Sequence, residues 1–138
     1  MPNLSQTGQE QGWSPPPVLK QLEQDLGAAF VIELIRAFLD QLAATLPVVS
    51  AASVRGDLGT VAKQVHSLKG SARQLEVEVI GGICAQIETL AKENKSRDVQ
   101  FWTARLEEES KAVQRGLDAY LERLSASQSA SATSQPQT

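Results

Sequence analysis

The stretch "QVHSLKGSAR", residues 64–73, holds the one histidine of a 138-residue chain. On a helix His66, Lys69 and Gly70 share a side, because positions three and four apart lie one turn on. A neutral imidazole is a nucleophile near neutral pH and can carry a covalent group. An ammonium one turn away can neutralise oxygens on that group. Phosphoryl suits the set, since its charge is spread over its oxygens and its transfer depends mostly on positioning and electrostatics. Gly70, inside a helix, costs about 1 kcal/mol relative to alanine. Close approach of another molecule to the imidazole accounts for it; tight packing by a neighbouring helix is the alternative.

The rest of what phosphoryl transfer needs is missing from the chain. "IGGIC" at 80–84 falls inside a helical pattern and matches neither a P-loop nor a GxGxxG turn. No acidic pair is evident that would hold Mg²⁺ near His66. The chain is therefore expected to take the group from a partner that brings the metal and the leaving group, and not from ATP. One Cys (Cys84) and one His exclude an ordinary zinc site, and a lone Cys forms no intrachain disulfide.

These residues need a frame, and the apolar periodicity is helical nearly throughout. A short first helix fits 17–26, with Leu19, Leu22 and Leu26 on one side and Gly27 as its stop. A second fits 28–54 through Val31, Leu34, Ile35, Phe38, Leu42, Leu46 and Val49; Pro47 inside it is expected to kink or split it. "RGD" at 55–57 makes a turn, with Gly56 as C-cap and Asp57 as the next N-cap. A third helix fits 58–74, a fourth 78–94 and a fifth 98–124, the last with Asp98 as N-cap. On the third, Leu58, Val61, Val65, Leu68 and Ala72 form the apolar stripe. His66 lies roughly 90° from its middle, at the edge of the buried face. Ala62, Lys63, Lys69 and Gly70 are its neighbours one turn away, with Gly59 and Arg73 two turns off. A core histidine wants bulky apolar neighbours, and these are small or cationic.

Short connections between amphipathic helices imply antiparallel neighbours. The expected fold is all-α: an antiparallel four-helix bundle, up-down-up-down, with a short additional N-terminal helix. Residues 1–16 read as a flexible N-terminal segment, 17–124 as the bundle, and 125–138 as a disordered Ser/Ala/Gln-rich tail. Apolar residues at 41% suffice for one core, and a net charge of −3 without a basic block argues against nucleic acid. No apolar run approaches the roughly 18 residues of a membrane span. No secretory signal pattern opens the chain, so a cytoplasmic location is expected. The chain is expected to be either a free-standing protein, which Met1 and the flexible ends favour, or the C-terminal module of a larger protein.

"HSLKGSA" resembles the signature of histidine phosphotransfer (HPt) domains: His, any residue, an apolar residue, Lys, Gly, then two small residues, on one helix of a four-helix bundle. "RGDL" at 55–58 is similar to the Gly-Asp turn before that helix, and "GICAQIETL" at 82–90 to the family's apolar-Cys-x-x-apolar-Glu segment. The likeness covers about 17–124. Glu76 departs from it, standing where the family usually has a glycine suited to a left-handed turn. Arg73 departs too, being larger than the small residue often found there; it is an extra cation for a partner or a solvated arginine.

The resemblance implies a phosphorelay carrier with no kinase activity of its own. His66 would take a phosphoryl group from a receiver-domain aspartyl phosphate of a hybrid sensor histidine kinase and pass it to another response regulator. Lys69 would bind the phosphoryl oxygens and Gly70 would leave room for the receiver. Gly59, Ala62, Lys63 and Arg73 would line the partner surface. No cofactor belongs to the chain; Mg²⁺ would sit in the receiver. No nucleic acid or membrane partner is expected, and the chain would be a monomer. Since no carboxylate lies within one helical turn of His66, no general base is expected beside it and the phosphate would be lost slowly. Two rivals stand beside this reading. A dimeric kinase core would need an ATP-binding domain of at least about 70 further residues. A non-catalytic helical adaptor would keep His66 as a structural residue.

Overall fold

The computed structural model describes residues 13–134, with side chains described through residue 127. Among the described residues there are five helices and no strand: α1 Pro17–Leu26, α2 Ala28–Arg55, α3 Leu58–Gln74, α4 Glu78–Lys92 and α5 Ser96–Ser134. Pro17 starts α1, where its missing N–H is no loss, and Gly27 at φ 94° stops it. Asp57 caps α3, its side chain accepting from the Thr60 backbone N–H at 3.2 Å and from the Thr60 hydroxyl at 2.7 Å. Those two bonds, with Arg55 beside them, hold its carboxyl below the usual carboxylate range.

Three turns in a row use one device. The N–H of Asp57, Val77 and Lys95 reaches back to the carbonyl of Ala52, Ala72 and Leu90, while Gly56, Glu76 and Asn94 take the left-handed position between. This is the Schellman closure, which satisfies carbonyls a helix end leaves open. Glycine and asparagine are at home there. Glu76, at φ 59°, is strained by about 1 kcal/mol because its Cβ crowds the carbonyl. The left-handed turn is therefore kept in spite of the glutamate.

Several expectations need correction. Pro47 does not split α2, which runs unbroken from Ala28 to Arg55. Both Pro47 and Ala43, whose carbonyl loses its donor, are exposed, so water can take that carbonyl. Asp98 is not the cap of α5. The Val99 N–H already bonds the Lys95 carbonyl at 2.9 Å, which leaves Asp98 in the first turn, where a carboxylate still favours the helix N-terminus. Leu26, expected inward, is 56% exposed at the last position before the Gly27 break.

The tail expected from residue 125 is helical through Ser134. "SASQSASATS" contains neither Gly nor Pro, and a helix already running extends without a new nucleus. Of the expected flexible segment 1–16, residues 1–12 lie outside the described ones, as do 135–138 of the tail. Residues 13–16 have no regular structure, but Trp13 is seated on Gly116, where any side chain would run into its ring and carbonyl.

The chain divides into two compact units. One contains α1, α2 as far as Ala37, and α5 from Ala112; Leu19, Val31, Ile35 and Leu117 are fully buried in it. The other, Phe38–Lys111, contains α3 and α4 entire, and its buried residues include Val61, Val65, Leu68, Ile80, Ile83 and Ile87. Within it Gln41 donates to the Ser67 hydroxyl and Gln100 to the Ser53 carbonyl, tying α2 to α3 and α5 to α2.

Candidate functional site

Within the unit Phe38–Lys111, α3 and α4 pair antiparallel: His66 and Lys69 meet Glu88, while Arg73 lies across Gly81. The stripe expected on α3 is buried at Val61, Val65, Leu68 and Ala72, with Leu58 half-buried. That fixes the rotation of the helix and leaves the His66 ring at its edge. The His66 side chain is 67% exposed, so this is not a histidine sealed in a core.

No carboxylate lies within one turn of His66 on its own helix, as expected, but the neighbouring helix brings one to the ring. Glu88 Oε2 lies 2.9 Å from His66 Nδ1, and Lys69 Nζ donates to Glu88 Oε1 at 2.6 Å. Lys92, one turn further along α4, places its Nζ 3.3 Å from Oε2. Glu88 is only 10% exposed, and burial alone would favour its neutral form. The hydrogen bond from Lys69 chiefly, with those from His66 and Lys92, outweighs burial and holds its carboxyl down to about 2.

Two consequences follow for the chemistry. An ionised carboxylate only accepts, so His66 Nδ1 carries the hydrogen and the neutral ring keeps its lone pair on Nε2. The nucleophilic nitrogen is thus the one turned away from Glu88. Glu88 is also a weak base, being ionised down to low pH with both oxygens engaged, so it is poorly suited to activating water beside the ring. Cys84 stays outside this chemistry: burial pushes its thiol up to about 12.

An open cleft of about 320 Å³ lies beside the ring, lined by Gly59, Ala62, Lys63, His66, Glu88 and Lys92. Three of the expected partner residues, Gly59, Ala62 and Lys63, are therefore brought together with His66. Arg73 is not; its stem runs over Gly81. Lys69 and Gly70 also lie outside the lining, Lys69 being turned to Glu88. A side chain built on Gly70 would meet nothing within 4 Å, which removes packing by a neighbouring helix as the reason for that glycine. Among the described residues no group of His, Cys, Asp and Glu is arranged to hold a metal ion, and no helix is long and apolar enough to cross a membrane.

Glu88 and Lys92 were not singled out as site residues from the sequence. One signal was there: Glu88 follows Ile87 and stands one turn from Cys84, a carboxylate on the apolar face of α4.

The sequence profile of the Hpt domain matches residues 33–127, which is more than half of the chain, and the chain belongs to that family. Hpt domains are phosphocarriers without kinase activity, and they serve histidine phosphotransfer in phosphorelays alongside receiver domains and kinases. Neither curated proteins nor solved structures provide a significant match.

Proposed function

We propose that His66 is the phosphoacceptor and that the chain relays the group between receiver domains. The Nε2 lone pair attacks the phosphorus of a receiver aspartyl phosphate. The Nε2–P bond forms, the P–O bond to the aspartate breaks, and the carboxylate leaves with the electron pair. The ring keeps its Nδ1 hydrogen and becomes cationic, and the Glu88 carboxylate at 2.9 Å stabilises that charge as it develops. Lys69 holds Glu88 in place from the other oxygen. The reverse step hands the group to a second receiver. In this reading the donor receiver belongs to a hybrid sensor kinase, each receiver brings its own Mg²⁺, and α2 to α5 serve as the antiparallel bundle of a monomeric, cytoplasmic carrier. Gly70 leaves room for the receiver's edge, and Gly59, Ala62 and Lys63 form part of the surface it meets.

The observation that carries this reading is the ring itself: pinned at Nδ1 by a buried carboxylate and open at the other nitrogen. Incubation with a phosphorylated receiver domain and Mg²⁺ tests it. Label should enter the chain, resist alkali, be lost in acid, and be absent from His66→Gln. Label that persists in that variant would remove His66 from the role. Failure to label with any receiver, together with tight binding to a helical partner, would favour the adaptor instead.

A further inference from the structure

Two lysines hold Glu88, and they hold it unequally. Lys69 is 22% exposed and, among the described residues, is the one partner of Oε1, at 2.6 Å. If it left, an oxygen of a nearly buried carboxylate would lose its hydrogen bond, a costly vacancy. Lys92 is 68% exposed and sits at 3.3 Å on Oε2, which His66 Nδ1 already occupies at 2.9 Å. If Lys92 left, Oε2 would keep a partner. Lys92 also lines the cleft beside His66, together with Gly59 and Ala62, whereas Lys69 does not. The cation that is cheap to release is thus the one that shares the cleft with the ring.

We propose that Lys92 is the residue that turns to the phosphoryl group on His66, while Lys69 stays behind as the tether of Glu88. This rests on the phosphoacceptor reading and reassigns the role that the sequence motif gives to Lys69. A dianionic group on Nε2 offers Lys92 a stronger partner than the oxygen it shares with the ring, and its four-carbon stem is free to swing. Lys63, on the same cleft, is a second cation within that space. The chemical class recognised is a phosphoryl oxygen.

Phosphoramidate tests this without a cognate receiver. Its P–N bond breaks, the Nε2–P bond of His66 forms, and ammonia leaves with the electron pair and a proton. Labelling rates are followed on the full chain, and the ionisation of the attached phosphoryl group is read by ³¹P NMR titration. Lys92→Met should slow labelling about tenfold, the worth of one charge-assisted hydrogen bond, and raise the phosphoryl pKa. Lys92→Arg should recover most of the rate. Lys69→Met, checked for helix content by circular dichroism, should leave the phosphoryl pKa at its wild-type position. A phosphoryl pKa that moves in Lys69→Met and not in Lys92→Met would overturn the proposal, as would His66 labelled equally fast in Lys92→Met and wild type. A folded wild type that takes no label on His66 from phosphoramidate or from any receiver removes the phosphoacceptor reading, and the proposal with it.

Discussion

Each unit of the molecule contains a ring bonded to a glutamate from a distant stretch of chain. In one, His66 meets Glu88, 22 residues on, at 2.9 Å; in the other, the Tyr120 hydroxyl donates to Glu23, 97 residues back, at 3.4 Å. The Tyr120 pair has the furniture of a site, with Arg123 over the ring 5.3 Å from its centroid and a cleft lined by Lys20, Glu23 and Arg123 beside it. Burial first, and then the Glu23 charge, push the phenol above its ordinary value, so it stays protonated. Its one hydrogen already goes to Glu23, and it has no second reactive atom held toward solvent. The imidazole differs because it has two nitrogens. Fixing one leaves the other free and defines its state. Chemistry needs a reactive atom left over after the fastening is made, and only the His66 pair has one.

The largest test of that contrast is His66→Gln, which should take phosphorylation by a receiver from full to none while Tyr120→Phe leaves it unchanged, both read by label incorporation. Next is Glu88→Gln. It keeps an acceptor for Nδ1 but removes the charge that stabilises the cationic ring, and should slow labelling about tenfold. Glu23→Gln, its counterpart, should not change the rate.

Acid should separate the pairs as well. The Glu88 carboxyl is depressed from 4.5 to about 2, so its ionised form is favoured in the folded state. Its contribution to stability is complete above pH 4.5 and is lost as pH falls toward 2. Urea midpoints should fall across that window, and less steeply in Glu88→Gln. Glu76→Gly should relieve the left-handed strain and stabilise the chain by about 1 kcal/mol, with labelling unaltered. That control separates stability from transfer. The smallest effect belongs to Tyr120→Phe, whose long hydrogen bond is worth under about 1 kcal/mol in thermal unfolding.

The sequence was informative where the physics is local. Gly27 and Gly56 stop helices where they were expected to, and Asp57 caps α3, because each acts on backbone within a few residues of itself. The Val61–Val65–Leu68–Ala72 stripe oriented α3 before any partner helix was known. Reading failed where a local rule met a wider context. Pro47, on an exposed face, did not split α2, and a Ser/Ala/Gln stretch continued a helix it would not have started.

The motif around His66 was likewise legible, since residues on one helix are neighbours by spacing alone. Glu88 was not: nothing in a periodicity says which residue of α4 lies opposite which residue of α3. By itself the sequence determined where most helices run, the buried stripe of α3 and the small and cationic surroundings of its one histidine. The tertiary structure decided the state of that histidine, because the rotation and register of α4 against α3 set which carboxylate reaches Nδ1 and which lysines hold that carboxylate.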